Sequence, residues 1–128
     1  MISDGRAGWN VVTSFNPAEA FNFNADALIE HEERYNRALE FVSVCKGLRD
    51  SWEDGAFIRD RRSEIYFDPA RLHVLNHQGE HFRVRGPLNI ERSPQGYRVL
   101  AQAGASNTGR EFAAHIAEGL LRRPGARP

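Results

Sequence analysis

The segment of this chain best suited to chemistry is a turn rich in small residues, QAGASNTGR at positions 102–110, between a predicted strand and a predicted helix. Small residues let a backbone approach a ligand closely. The N–H groups of a helix's first turn lack intrahelical partners and lie at its positive end, which suits a phosphate group. Ser106 and Thr108 add hydroxyls, and Arg110 adds a charge. The alternative is structural: Ser106 or Asn107 only caps the helix, and the glycines only form the turn.

A second candidate pair, His31 and Tyr35, is spaced four residues apart on a predicted helix, so both side chains share one face. Leu28 and Leu39 fall on the same face, which is therefore expected to point inward. In barrel proteins the start of such a helix lies near the strand ends where ligands bind. Spacing alone favours the alternative, a buried His and Tyr that satisfy each other's hydrogen bonds.

Three histidines, His73, His77 and His81, recur every fourth residue. On a helix they would share a face, as metal ligands do. Gly79 and the polar–apolar alternation that follows His81 argue against a helix, and strands and turns would scatter the side chains. No metal site is expected here.

The first half of the chain predicts a strand, a loop and a helix. Residues 9–14 mix apolar and β-branched residues, as a strand buried on both faces does. Residues 15–24 contain proline and asparagines and predict a loop. Asn24 or Asp26 can N-cap the helix, which is expected to end near Gly47. Its apolar face is formed by Leu28, His31, Tyr35, Leu39, Val42 and Cys45. Its charged residues fall mostly elsewhere and are expected to face water: Glu30, Glu32, Glu33, Arg34, Arg37 and Glu40.

A long excursion of short mixed elements is predicted over residues 53–95, which are rich in Asp, Arg, Pro, Gly and His. Asp68–Pro69 and residues 77–80 predict turns. Residues 81–85 alternate polar and apolar and predict a half-exposed strand. Such an insertion usually carries function or covers a site.

The second half closes with another strand and helix. Residues 98–102 predict a second buried strand, and a helix is expected from about Ser106 to Leu121. The apolar face of that helix is expected to hold Phe112, His115, Ile116 and Leu120. Two strands, each leading into a helix, indicate an α/β protein. An irregular Arg/Pro-rich tail is predicted over residues 122–128.

The composition narrows the class of protein. At 128 residues the chain is one domain at most. Its 17 basic and 17 acidic residues give no net positive charge that would indicate binding to nucleic acid. Cys45 is the single cysteine, so no internal disulfide is possible, and it is expected to be a buried structural thiol. No long apolar run or signal peptide is present. A cytoplasmic protein without membrane or nucleic-acid partners is expected.

Several segments, taken in order, resemble one bacterial family. They are GRAGWNVVTS (5–14), HEERY (31–35), DSWED (50–54), DP (68–69), HQGEHFRVRGPLN (77–89), SPQG (93–96) and the turn at 102–110. The family is that of nitrilotriacetate monooxygenase component A, within the bacterial-luciferase-like flavin monooxygenases. The resemblance extends from about Ile2 to Glu118.

The resemblance implies a fold: a fragment of a (β/α)8 TIM barrel, from about strand 4 to helix 5, with residues 53–95 as an insertion. Residues 1–121 would form this partial domain. A closed barrel of this type needs about 250 residues or more, so the chain on its own is expected to lack part of the flavin site. Sequences of the family usually have Gly where Asp4 and Glu64 stand, and Trp where Arg49 stands.

The resemblance also implies a function: oxygenation of a small organic substrate with O2 and reduced FMN, the latter supplied by a separate NAD(P)H:flavin reductase. A homodimer is expected for the full-length form. The cofactor-binding residues that it implies are His31, Tyr35, Ala105 through its backbone, Ser106 and, near the isoalloxazine ring, Asn10 and Thr13. No catalytic residue is assigned. The alternative is a non-catalytic remnant or interaction protein without flavin activity.

Overall fold

A computed structural model describes residues 3–23 and 25–120 of the chain. The predicted N-cap at Asn24 and the predicted tail at 122–128 lie outside the described residues. The described chain divides into two compact units. The strand unit consists of Ala7–Leu39 and residues 98–120, and the excursion unit consists of residues 3–6 and Glu40–Tyr97.

The strand unit is built on a small parallel sheet of order β1-β4-β5. Strand β1 (Gly8–Asn10) pairs with β4 (Val99–Gln102), with Gly8 opposite Val99 and Asn10 opposite Ala101. Strand β5 (Gly119–Leu120) pairs with the other side of β4. Parallel pairing of strands joined by long crossovers confirms the predicted α/β class.

Strand β1 is shorter and more exposed than predicted for residues 9–14. The N–H of Val11 still donates to the carbonyl of Ala101 (2.9 Å), and Val11 is buried. Val12, however, is 68% exposed, and Ser14 has a positive φ of 60°. The left-handed backbone at Ser14 ends the extended run, so the prediction of a strand to residue 14 was wrong.

The loop predicted for residues 15–24 contains helical structure. Helix α1 (Pro17–Ala20) starts after Asn16, whose side chain accepts a hydrogen bond from the N–H of Ala18 (3.1 Å). A 3-10 turn, Phe21–Phe23, follows it. Proline in the first helical turn behind an Asn cap is a helix-start signal that outweighs its usual association with loops.

Helix α2 (His31–Arg49) begins later than either predicted N-cap. Asp26 and Leu28 therefore precede the helix, which corrects both placements. The predicted end near Gly47 is confirmed to within two residues. Tyr35 and Val42 are buried at 7% and 2% exposure, as their shared face predicts.

Helix α3 (Asn107–Ile116) also ends earlier than predicted, at Ile116 rather than Leu121. Ala117 has extended backbone, and the N–H of Glu118 donates to the carbonyl of Leu100 (2.8 Å). The backbone therefore leaves the helix and pairs with β4 at Gly119. The low helix propensity of glycine favours this early end of the helix. Phe112 and Ile116 are buried, whereas His115 is exposed.

The excursion unit has the predicted mixture of short elements. A hairpin is formed by β2 (His77–Gln78) and β3 (Arg83–Val84), so residues 77–78 are strand rather than turn. Asp68 caps the 3-10 turn Pro69–Arg71. The core is aromatic: the Trp52 ring lies 4.6 Å from that of Phe57 and 5.2 Å from that of Phe67. Trp52 Nε1 donates to the carbonyl of Leu88 (2.8 Å).

No helix in the ranges 3–23 and 25–120 combines the length and apolar character that crossing a bilayer requires.

Candidate functional site

A cleft of about 290 Å³ opens in the strand unit at the carboxyl ends of β1 and β4. In parallel α/β sheets this edge is where ligands bind. The lining comes from the residues after β1, from the start of α2 and from the end of β4: Val11, Val12, Thr13, Ser14, Phe15, His31, Arg34, Tyr35, Gln102, Ala103 and Gly104.

His31 and Tyr35 both line this cleft, and their rings are in contact. The ring centroids lie 4.9 Å apart at an angle of 52°. Tyr35 also packs edge-on against Phe112 of α3 (5.3 Å), which holds its ring in place. Tyr35 is buried, as the core alternative requires, but His31 is exposed and open to a ligand.

The turn after β4 is held by side-chain caps at both of its ends. The Oε1 of Gln102, itself 3% exposed, accepts a hydrogen bond from the N–H of Gly104 (2.7 Å). Ser106 is the N-cap of α3, and its Oγ accepts from the N–H of Gly109 (3.0 Å). Ser106 therefore caps α3, as one of the two residues predicted for that role. Capping uses the hydroxyl as an acceptor and leaves its proton to be donated elsewhere.

Two glycines in this turn pack so closely that a Cβ on either would force its neighbours to shift. A Cβ at Gly104 would lie 2.6 Å from Nε2 of Gln102 and 3.0 Å from the Cα of Gly109. A Cβ at Gly109 would lie 2.9 Å from the Tyr35 Oη and 3.0 Å from the Ser106 Oγ. The Tyr35 hydroxyl therefore lies beside the first turn of α3, which joins the two candidate groups into one site.

Arg34 is a lining residue that the sequence pattern assigned to solvent. Its Nη1 donates to the carbonyl of Ile29 (2.8 Å), while its Nε is buried without a hydrogen-bond partner. The signal was present in the spacing, because Arg34 follows His31 by three residues and so shares its side of the helix.

The other predicted site residues are placed as follows. Thr13 lies in the cleft lining. Ala105 and Ser106 lie on the turn, adjacent to the lining residue Gly104. Asn10 is exposed within β1 and is outside the cleft lining. Arg110 donates a hydrogen bond to the Asn107 side chain and is exposed.

The histidines of the excursion unit have separate partners. His73 contacts Glu53 (2.7 Å), and His77 contacts Glu40 (2.8 Å). Across the described residues, no group of three or more His, Cys, Asp or Glu side chains is arranged to hold a metal ion.

Cys45 is a half-buried free cysteine, and burial raises the pKa of its thiol, against a smaller opposing effect of Arg49. A high pKa suits a structural thiol rather than a nucleophile.

The whole chain, residues 1–128, matches the family described as luciferase-like monooxygenase, so the chain belongs to that family. Nitrilotriacetate monooxygenase component A from Aminobacter aminovorans is 56% identical over 117 residues, which are 91% of this chain and 26% of that protein. The predicted resemblance is confirmed. The chain spans about a quarter of the length of the curated relatives it matches.

Solved structures agree with the family assignment. A long-chain alkane monooxygenase superposes with a TM-score of 0.90 at 48% identity, covering 94% of this chain and 28% of its own. A riboflavin lyase, solved with modified FMN and riboflavin, gives a TM-score of 0.89 at 37% identity, covering 99% of this chain and 28% of its own.

Proposed function

We propose that this chain is the flavin-binding part of a monooxygenase that uses reduced FMN and O2 to oxygenate a small organic substrate. The observation that carries the proposal is the position of Tyr35, which lines the cleft while its hydroxyl lies beside the first turn of α3. One ligand with a phosphate at one end and a flat ring system at the other would engage both parts of such a site.

The residues present fit FMN in three respects. The α3 N-terminus begins with a hydroxyl residue, Ser106, whose proton is available to a phosphate oxygen. A Cβ at Gly104 or Gly109 would crowd the turn, so glycine keeps the backbone closely packed at the start of α3. The cleft is also lined by Arg34, whose guanidinium charge suits a bound anion.

Bound reduced FMN supplies the reaction with O2, and the chain supplies binding, orientation and exclusion of water. Ser106 and the backbone at Ala105 would hold the phosphate. His31 and Tyr35 would hold the ribityl and ring portion, with Thr13 at the strand end. Val12 and Phe15 form an apolar wall of the cleft that would keep water from the flavin.

The full-length protein is proposed to be a (β/α)8 barrel. Three parallel strands with a cleft at the carboxyl ends of β1 and β4 support this, because barrel enzymes place their sites at that face. Residues 53–95 would be an insertion in that barrel. A separate NAD(P)H:flavin reductase is proposed as the source of reduced FMN, which is supported by a relative that is named as one component of its enzyme.

The test of this site is FMN affinity, measured by quenching of flavin fluorescence. We expect His31→Ala and Tyr35→Phe each to weaken FMN binding on the order of tenfold, the effect of losing about 1.4 kcal/mol. The matched control is His73→Ala, because His73 is an exposed histidine of the excursion unit. Unchanged affinity in both cleft variants would remove these two residues from the site.

A second measurement addresses the alternative of a non-catalytic protein. Oxygen uptake is followed with FMN, NADH and a flavin reductase, in the presence and absence of the chain. A chain that binds FMN but leaves oxygen consumption unchanged supports the alternative.

A further inference from the structure

Arg34 places a permanent positive charge in the cleft wall. Of the described lining residues, it is the one Arg or Lys, and no carboxylate is among them. Within the described part of the chain, its polar contact is the neutral carbonyl of Ile29. A guanidinium keeps its charge at any physiological pH, so the protein cannot remove the imbalance by deprotonation.

The guanidinium is also held in position before any ligand arrives. Its Nη1 is bonded to Ile29, at 2.8 Å, in the segment just before α2. Its Nε is buried and unpartnered. An unsatisfied buried donor costs about 1–3 kcal/mol, and such groups in native proteins call for an explanation. A fixed cation in the wall of a ligand-sized cleft that holds no carboxylate is explained by an anionic ligand.

We propose that Arg34 is a binding residue for the phosphate group of the cofactor and supplies a cationic contact to it. This inference rests on the proposed function. Neither Ser106 nor the backbone of the turn carries a full charge, and Arg110 is bonded to Asn107. A phosphate monoester carries close to two negative charges at neutral pH, and the planar fork of arginine matches its oxygens.

The first test compares FMN with riboflavin, which has the same ring and ribityl chain but no phosphate. Arg34→Gln is expected to weaken FMN binding by about ten- to a hundredfold, the range for a hydrogen bond to a charged group, and to leave riboflavin binding within about twofold. Arg34→Lys, which retains the charge without the fork, should recover part of the loss. The matched control is Arg37→Gln, which removes an exposed charge from the same helix outside the cleft.

The outcomes separate the possible roles of Arg34. A loss confined to FMN supports the proposal. An equal loss for FMN and riboflavin overturns it and places Arg34 against the ring or in support of the cleft. No loss for either ligand, or an equal FMN loss in the Arg37→Gln control, also overturns it.

A flavin-independent measurement keeps this inference distinct from the proposed function. Inorganic phosphate is titrated calorimetrically into the wild-type chain and into Arg34→Gln. Phosphate binding by the wild type that the variant loses supports the anion site even if the wild type binds no flavin, in which case only the proposed function fails. Absence of phosphate binding to the wild type, or equal binding to both chains, overturns the role of Arg34.

Discussion

The hydroxyl of Tyr35 lies against Gly109, at a distance where a Cβ on residue 109 would be 2.9 Å from the Tyr35 Oη. The two residues come from different helices, α2 and α3, and meet at the turn that follows β4. The same Cβ would be 3.1 Å from the Cα of Gly104, so it would press on backbone as well as on side chains. Glycine at 109 therefore allows the aromatic residue and the helix N-terminus to form a single site.

Gly109→Ala tests this packing. We expect it to lower the free energy of unfolding by about 1–3 kcal/mol, the usual cost of forcing one extra carbon into a packed region, despite the better helix propensity of alanine. Urea denaturation measures the change. The control is Gly119→Ala, because a Cβ at Gly119 would meet nothing within 4 Å. Equal stability of the two variants would mean that the turn relaxes freely.

Ser106 has two roles to separate, capping α3 and donating to a phosphate. Ser106→Ala removes both, and we expect a loss of about 1 kcal/mol in stability together with weaker FMN binding. Ser106→Asp keeps a good N-cap and adds a charge that favours the helix N-terminus.

The aspartate variant should therefore retain wild-type stability while losing FMN affinity, on the order of tenfold or more, by repulsion of the phosphate. Thermal unfolding and fluorescence titration on the same samples measure the two properties. Retained FMN affinity in the aspartate variant would show that the phosphate lies elsewhere.

Glu64 is a position where the family resemblance implies glycine, and its backbone conformation favours that residue. Its φ is 58°, in the left-handed region that costs a residue with a Cβ about 1–2 kcal/mol. Asp4, the other such departure, has a φ of 47°. We expect Glu64→Gly to raise the free energy of unfolding by about 1 kcal/mol, with part of the gain offset by the greater entropy of glycine in the unfolded chain.

Glu64→Ala is the control for this substitution, since it removes the same carboxylate but keeps the Cβ. Chemical denaturation of the three chains should place the alanine variant at or below the wild type. An alanine variant as stable as the glycine variant would assign the gain to lost charge rather than to relieved backbone strain.

The parts of this molecule that sequence reasoning located share a physical basis. The positions of strand β4 and of the turn after it were predictable, because a short apolar run predicts a strand and a close turn requires small residues. The strand is only half buried, since Val99 is 49% exposed. Strand β5 was not, since two residues carry no periodicity and Leu120 also fits a helical face. The start of α2 was placed too early because Asp26 is a good cap in isolation, whereas the helix begins at His31.

The sequence pattern identified only some of the residues of the site, for a related reason. His31 and Tyr35 stand out by residue type and spacing, and the structure places both in the cleft. Arg34 was assigned to solvent with the other charged residues of the helix, because a charge at one position does not reveal whether its neighbours compensate it. The missing information is the buried, unpartnered Nε, which depends on how Ile29 and the cleft enclose the guanidinium.

Glu40 makes the stability of the excursion unit depend on pH. Its carboxylate contacts the His77 ring and accepts hydrogen bonds from the N–H groups of His81 and Phe82, each at 2.9 Å. Burial alone would raise the pKa of Glu40, but the contacts with His77 and with the two N–H groups outweigh it and lower the pKa from 4.5 to about 2. A depressed pKa means that the folded state prefers the ionised carboxylate, so its stabilising contribution is complete above the ordinary pKa. That contribution falls as the pH decreases from 4.5 to about 2.

We therefore expect the urea midpoint of the wild-type chain to fall more steeply over this acid range than that of Glu40→Gln, which has no carboxylate to protonate. Above the range, the variant should be less stable because the β2–β3 hairpin loses its charged acceptor. The control is Glu80→Gln, which removes an exposed carboxylate from the same hairpin that accepts none of these hydrogen bonds. It should follow the wild-type pH dependence. Parallel curves for wild type and Glu40→Gln would mean that the three contacts do not distinguish the ionised from the neutral acid.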